Sequence, residues 1–290
     1  MPSTRRRFAA SLPALAHAPA LLARRAAAQG ASPVASPVAA TGDVPMFHVD
    51  PAHTGVNPGP GPIANPEVLW SFETGGHRSA PAVVGGTVYA GDFEGFLYAL
   101  DAATGDERWR FDVGGYVGTP AIVDGIVIAS GGGGVLYALN ADDGSVRWDA
   151  TTDAPSAFSD GTIADGVLYL NGYVGSVFAL DPATGDLVWE YGTGARNWIA
   201  PAVAGGAVFA RSDNGVLYAL DAATGAEIWT ATIGWNNESS SPAVVDGVVY
   251  VGGGDGVAFA LDAATGTEIW TATLGTIVDL SPAVGDGLVY

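Results

Sequence analysis

Short apolar runs of four to six residues recur along this chain from residue 79 onward, many alternating apolar with small or polar side chains. Residues 87–90, 96–100 and 216–220 are examples, each bounded by Gly, Asp or Asn. Runs this short, rich in Val, Tyr and Phe, predict β-strands rather than helices. They come in groups of four. A Pro-Ala-Val type run opens most groups, at Pro81, Pro120, Pro201 and Pro242, while Asp160 stands where the third group would have its proline. A Gly-Gly or Asp-Gly pair follows at 85–86, 124–125, 165–166, 205–206 and 246–247. Such pairs accept positive φ and so favour two-residue hairpins. A second run, a glycine-rich loop, a third run and a five-residue turn then lead to a fourth run containing tryptophan.

That last part is nearly the same each time. The chain reads ALDAATGDERW to Trp109, ALNADDGSVRW to Trp148, ALDPATGDLVW to Trp189, ALDAATGAEIW to Trp229 and ALDAATGTEIW to Trp270. Successive tryptophans lie 39, 41, 40 and 41 residues apart, and Trp70 lies 39 before the first. A period near forty with four strands per unit predicts an all-β propeller of four-stranded antiparallel blades. Five complete blades are expected, starting at residues 79, 119, 159, 200 and 241. Residues 68–73 read as one more fourth strand, and 281–290 as the first two strands of another blade. The third strand of that closing blade is missing, so the sequence reads as a piece of a larger propeller.

The repeated residues have structural roles. Asp101, Asn140, Asp181, Asp221 and Asp262 are placed to accept hydrogen bonds from their own turns. Gly105, Gly144, Gly185, Gly225 and Gly266 supply the left-handed conformation those turns need. The tryptophans are expected to pack between blades. The first and third turns of a meander share one face of the ring, while the second turns and the inter-blade links share the other. The link face varies from blade to blade. It carries His77, Arg78, Tyr116, Arg196, Asn197, Trp198, Trp235, Asn236 and Glu238. Trp198 and Trp235 are the two tryptophans outside the forty-residue register. Aromatic, arginine and asparagine side chains of this kind make binding surfaces, so these nine residues are the candidate site.

Charge narrows the partners. The chain has no lysine and a formal charge of -19. Five of its eleven arginines precede residue 29, so the remaining six face all 30 acidic residues. Such a surface repels phosphate backbones and argues against nucleic acid. The absence of cysteine removes disulfides, thiolate metal sites and a lipid anchor on cysteine.

Residues 1–28 read as an export signal. Arg5-Arg6-Arg7-Phe8 fits a twin-arginine pattern, an apolar stretch too short and broken to span a membrane follows, and Ala26-Ala27-Ala28 suits cleavage. A periplasmic or extracellular location is expected. Residues 29–66 form a Pro-, Ala- and Gly-rich linker and strap, and 67–290 the propeller. His48, Asp50 and His53 fall in the strap, where capping of the propeller is expected and no metal site is assigned.

The repeats are similar to the PQQ-binding-like β-propeller repeat, whose A-x-D-x-x-T-G-x-x-x-W tryptophan-docking motif appears at Ala99 to Trp109 and in the other four blades. The resemblance covers roughly residues 68–290. It implies a ring of commonly eight blades. Some members are quinoprotein dehydrogenases, and others, such as the propeller subunit of the bacterial outer-membrane barrel-assembly machinery, are scaffolds without a cofactor. The dehydrogenases hold the quinone against a disulfide of adjacent cysteines and coordinate calcium near a catalytic Asp. Here there is no cysteine, and Asn237, Glu238 and Asp279 match no such motif. The expected function is therefore an exported, non-catalytic scaffold that binds a protein or peptide, with polysaccharide as a further ligand class and no cofactor. The alternatives are a divergent dehydrogenase using PQQ with calcium, and the sensor domain of a larger protein.

Overall fold

The computed structural model describes residues 5–8, 43–55, 68–76, 79–132, 134–152, 159–173, 175–234, 240–275, 281–285 and 287–290. It contains five four-stranded antiparallel meanders in strict chain order. The first blade runs Ala82–Val84, Thr87–Gly91, Phe96–Asp101 and Glu107–Asp112. The fourth runs Ala202–Ala204, Ala207–Ser212, Val216–Asp221 and Glu227–Thr232. A two-stranded piece, Val284–Gly285 with Leu288–Val289, follows the fifth blade. The expected propeller blades are observed.

The register explains the repeat. In the first blade Ala82, Tyr89, Ala99 and Trp109 stand in one row across the four strands. The fourth blade has Ala202, Phe209, Ala219 and Trp229 in the same row. The alanine in the third strand is small enough for the aromatic ring and the tryptophan to meet across it. Their centroids are 5.9 Å apart in the first, third and fourth blades and 6.0 Å apart in the fifth. The core lies between blades, in clusters that join neighbouring blades.

Each tryptophan then docks on the next blade. The indole N–H of Trp189 donates to the Ala222 carbonyl at 2.9 Å, and Trp70, Trp109, Trp148 and Trp229 donate to Ala102, Ala141, Pro182 and Ala263. The ring covers the turn glycine so closely that a Cβ on Gly225 would lie 2.7 Å from it, at a φ of +71°. The turns are built as their sequence implies. Asp221 accepts from the Thr224 hydroxyl and from the amides of Thr224 and Ala223, and those bonds hold its carboxyl below the usual range. Ala222 N–H reaches the Gly206 carbonyl, which confirms that first and third turns share a face.

Two segments depart from expectation. Residues 68–73 form no ladder with another described strand, although Trp70 docks on the first blade as a fourth-strand tryptophan should. A fourth strand pairs with a third, and 281–290 supply only a first and a second. Arg5–Phe8, read above as part of an export signal, lies parallel to the outer strand of the second blade, Val146–Thr152. An outer strand leaves one row of backbone groups open to such pairing.

The strap does more than cap. Residues 43–55 follow the innermost strands around the ring. Val44 exchanges two backbone hydrogen bonds with Val83, and the amides of Ile122, Val203, Val244 and Val284 donate to the carbonyls of Pro45, Pro51, Ala52 and Thr54. These reach four complete blades and the partial one. His53 connects the third. Its ring is fully buried, 3.0 Å from Thr162 Oγ1 and 3.2 Å from the Pro242 carbonyl. Thr162 occupies the row position that is alanine in the other four blades. Burial pushes the His53 ring down to about 3, with His48 adding to the shift, so it is neutral at pH 7. Asp50 accepts from the Thr54 amide and hydroxyl. His48, Asp50 and His53 are thus engaged within the strap and the ring.

Candidate binding site on the link face

Hydrogen bonds between second turns and inter-blade links define the opposite face. The Asp213 amide donates to the Arg196 carbonyl, Gly132 to Tyr116 and Val117 to Asp92. The most developed cluster on it lies between the third and fourth blades. The link after Leu187–Gly192 carries Arg196 and Trp198. The second turn of the third blade supplies Tyr173, and that of the fourth supplies Asp213.

The Arg196 guanidinium lies 5.3 Å from the Tyr173 ring centroid and 5.7 Å from that of Trp198, which themselves meet edge to face at 5.7 Å. Nη1 of Arg196 donates to the Tyr173 hydroxyl at 2.8 Å, and its Nε lies 3.4 Å from Asp213. Trp198 Nε1 donates to the same carboxylate at 3.2 Å. The hydrogen bond to Tyr173 raises the Arg196 pKa further, with Asp213 contributing. A cation over aromatic faces is worth roughly 0.5–1 kcal/mol when exposed. The cluster is nonetheless open: Trp198 is 42% exposed and Arg196 is exposed too. It offers two aromatic surfaces and a fixed positive charge to anything that docks.

Asn197 faces the other way and is 1% exposed. Its amide donates to the carbonyls of Ala195 and Arg196 and to Ser212, and accepts from the Thr193 hydroxyl. It shapes the loop that presents Arg196 and Trp198. Tyr116 is 47% exposed at the link between the first two blades, beside Gly132, where a Cβ would lie 3.0 Å from its ring. His77, Arg78, Trp235, Asn236 and Glu238 lie outside the described residues. Sequence reasoning missed Tyr173 and Asp213. Each sits at the tip of a second turn, the loop class assigned to this face, but nothing in the repeat marks which neighbouring tips meet.

The turn face is closed differently. A cavity of about 380 Å³ lies beside the strap between the third and fourth blades, bordered by Asp50, Thr54, Asp165 and Gly205. No three His, Cys, Asp or Glu side chains gather as a metal site among the described residues. The chain has no cysteine and so lacks the disulfide that the dehydrogenase resemblance implies, while Asn237, Glu238 and Asp279, weighed above as calcium donors, lie outside the described residues.

Blades with a four-strand meander, docked tryptophans and this turn define a PQQ-like β-propeller repeat protein. The chain belongs to the family described as outer membrane protein assembly factor BamB, whose model matches residues 63–197 and 213–290. Among solved structures it is similar to BamB from Moraxella catarrhalis, at 22% identity and a TM-score of 0.57, covering 66% of this chain and 62% of that one. The computationally designed Ika8 protein matches at 18% identity and 0.63, covering 73% and 66%. Quinohemoprotein alcohol dehydrogenase from Comamonas testosteroni matches at 17% and 0.66, covering 82% and 52%. The chain spans between about half and two thirds of the length of these structures, and the likenesses are of fold. No curated protein matches this chain.

Proposed function

We propose that this chain is an exported, non-catalytic propeller scaffold that docks a protein or peptide on its link face. The observation that carries this reading is the open cluster of Tyr173, Arg196 and Trp198 pinned by Asp213. Aromatic and arginine side chains held in fixed rotamers lose little freedom on binding and make strong anchors. The strap across the inner strands supports a rigid support rather than a reaction chamber. The strongly acidic surface favours a neutral or basic partner over nucleic acid. Export rests on Arg5-Arg6-Arg7-Phe8 and the apolar stretch behind it.

The test is cross-linking of the full chain in cells of its source, followed by mapping of the cross-linked positions. Cross-links to one partner should concentrate on the second turns and links of the third and fourth blades. The combined variant Arg196→Ala, Trp198→Ala should lose them while keeping its fold. Unchanged capture by that variant would sink the site. A polysaccharide ligand would instead show as retention on a carbohydrate matrix, lost in the same variant.

A further inference from the structure

The outer, fourth strands of the five blades are alike in register but not in cover. Each ends its sheet with one side open, and only Val146–Thr152 of the second blade has a further strand beside it among the described residues. That strand is Arg5–Phe8, laid parallel with Arg5 opposite Asp149, Arg6 opposite Ala150, Arg7 opposite Thr151 and Phe8 opposite Thr152. The edge differs accordingly. Asp149 is 4% exposed and Ala150 is fully buried. At the position of Asp149 the other blades carry Arg110, Thr230 and Thr271, all exposed, and Glu190, half-buried. Val146–Thr152 is also seven residues long, where the other four outer strands have six, and the extra residue is the one that pairs with Phe8.

Charge explains the choice of blade. Residues 5–7 are three arginines in a row on a chain of formal charge -19. Such a segment pairs best with an edge that sets a carboxylate in register, and worst with one that sets a like charge there. The first blade offers Arg110, and the fourth and fifth offer threonine. Glu190 in the third already accepts from the Ser176 hydroxyl. The second blade offers Asp149, in register with Arg5. The pairing is also releasable. Four residues gain part of a ladder, and ordering them costs conformational entropy that offsets much of that gain. Segment and edge belong to one chain, which makes the docking intramolecular and favours it over any free competitor.

We propose that the outer edge of the second blade is a docking site for residues 5–8 of this chain, and that the folded ring thereby withholds its own arginine run from a receptor. A receptor that reads the arginines from an unpaired segment binds only the released fraction. With nine molecules in ten docked, its apparent affinity falls about tenfold. The edge exists only once the second blade has folded, so the arginines are free on the unfolded chain and covered on the folded one. The consequence for export rests on the reading of residues 1–28 as a signal: a receptor has to outcompete the blade before the folded protein leaves.

The test uses the full chain, which has no cysteine of its own. In Arg7→Cys/Thr151→Cys the two positions are register partners on neighbouring strands, which lie about 4.8 Å apart and within disulfide reach. Mild oxidation should join them within one molecule. Arg7→Cys/Thr232→Cys, which uses the equivalent position of the fourth blade, should stay reduced. Equal yields would overturn the docking, and disulfides between molecules would overturn it too, by assigning the edge to a second copy. Masking is read with a Fab raised against the peptide MPSTRRRFAA, residues 1–10. Asp149→Arg gives this edge the residue that the first blade already carries there, Arg110, and should leave the far-UV spectrum unchanged. The Fab should bind that variant about fivefold or more tightly than the unaltered chain. The outward amides among residues 149–151 should lose protection from hydrogen exchange in the same variant. Equal Fab affinity for the two proteins would overturn the masking. None of these readouts involves export, so their failure would sink the docking and leave that reading untouched.

Discussion

Trp189 and Trp270 are the same residue in the same register, one docked and one not, and the docked joint should dominate stability. Trp189 is 7% exposed, lies over Gly225, donates to Ala222 at 2.9 Å and meets Tyr169 at 5.9 Å. Replacing it with alanine removes a large buried aromatic, a change that costs about 3–5 kcal/mol in protein cores. The bond to Ala222 is part of that loss, at about 1 kcal/mol. Trp270→Ala keeps neither loss in full: the ring has no turn beneath it among the described residues and is already 38% exposed. Its cost should be about 1–2 kcal/mol, mainly from the contact with Tyr250. The expected gap is therefore about 1–4 kcal/mol. Urea titration followed by far-UV circular dichroism measures it, with amide exchange of the third and fourth blades to register local opening, because arrays of repeats often unfold in parts. Equal shifts of the midpoint for the two variants would refute the claim that the interlocking turn, rather than the tryptophan itself, stabilises the ring.

Gly225→Val should destabilise by about 3 kcal/mol or more, since it combines a left-handed φ with a clash against Trp189. Adding Trp189→Ala should relieve the clash and make the pair cost less than the sum, which a double-mutant cycle in urea reads. His53→Ala should cost about 2–4 kcal/mol and speed exchange at Val203 and Val244, the inner-strand amides held by Pro51 and Ala52. Asp160 is pushed up to about 6 by burial, despite the hydrogen bond from the Thr119 amide at 2.8 Å. A raised carboxyl favours the protonated folded state, so its stabilisation is full below about pH 3.8 and is lost as pH rises through about 6. Asp160→Asn keeps the acceptor, and should raise stability above pH 6 by up to about 3 kcal/mol while flattening the dependence between pH 4 and 6. A thermal-melt series across that range measures it.

The blades were readable because their signals are local. Asp221, Gly225 and Trp229 act within a few residues or on the adjacent repeat, and a motif recurring five times averages out the ambiguity of any one copy. Residues 68–73 looked like a strand for the same reason, but a strand exists only with a ladder partner, and its partner lies outside its own stretch of sequence. The path of the strap was illegible because Pro45, Pro51 and Ala52 find their partners through the ring's axis, not through periodicity. Only Thr162, replacing the usual alanine opposite Tyr169, hinted that something polar reaches the inner strand there. At the link face, the departure of Arg196 and Trp198 from the repeat was visible. Their support by Tyr173 and Asp213 was not, since those residues sit in neighbouring second turns that become adjacent only when the ring forms.

The strap also sets an order of events in time. Its residues emerge early in synthesis, yet their acceptors and donors are spread over the whole ring, from Val83 to Val284. The His53 contact with Pro242 joins positions 189 apart. At translation rates of 5–20 residues per second, residues 43–55 wait roughly 10–50 s before Val284 exists. Individual blades can collapse as they appear, because their contacts are local, whereas seating of the strap is a late, high-contact-order step. Until then the inner strands carry unpaired amides, and the growing chain is a set of blades held side by side without a hub. Seating of the strap is in this sense a check on the inner strands from Val83 to Val284, made by a segment that is synthesised before all of them.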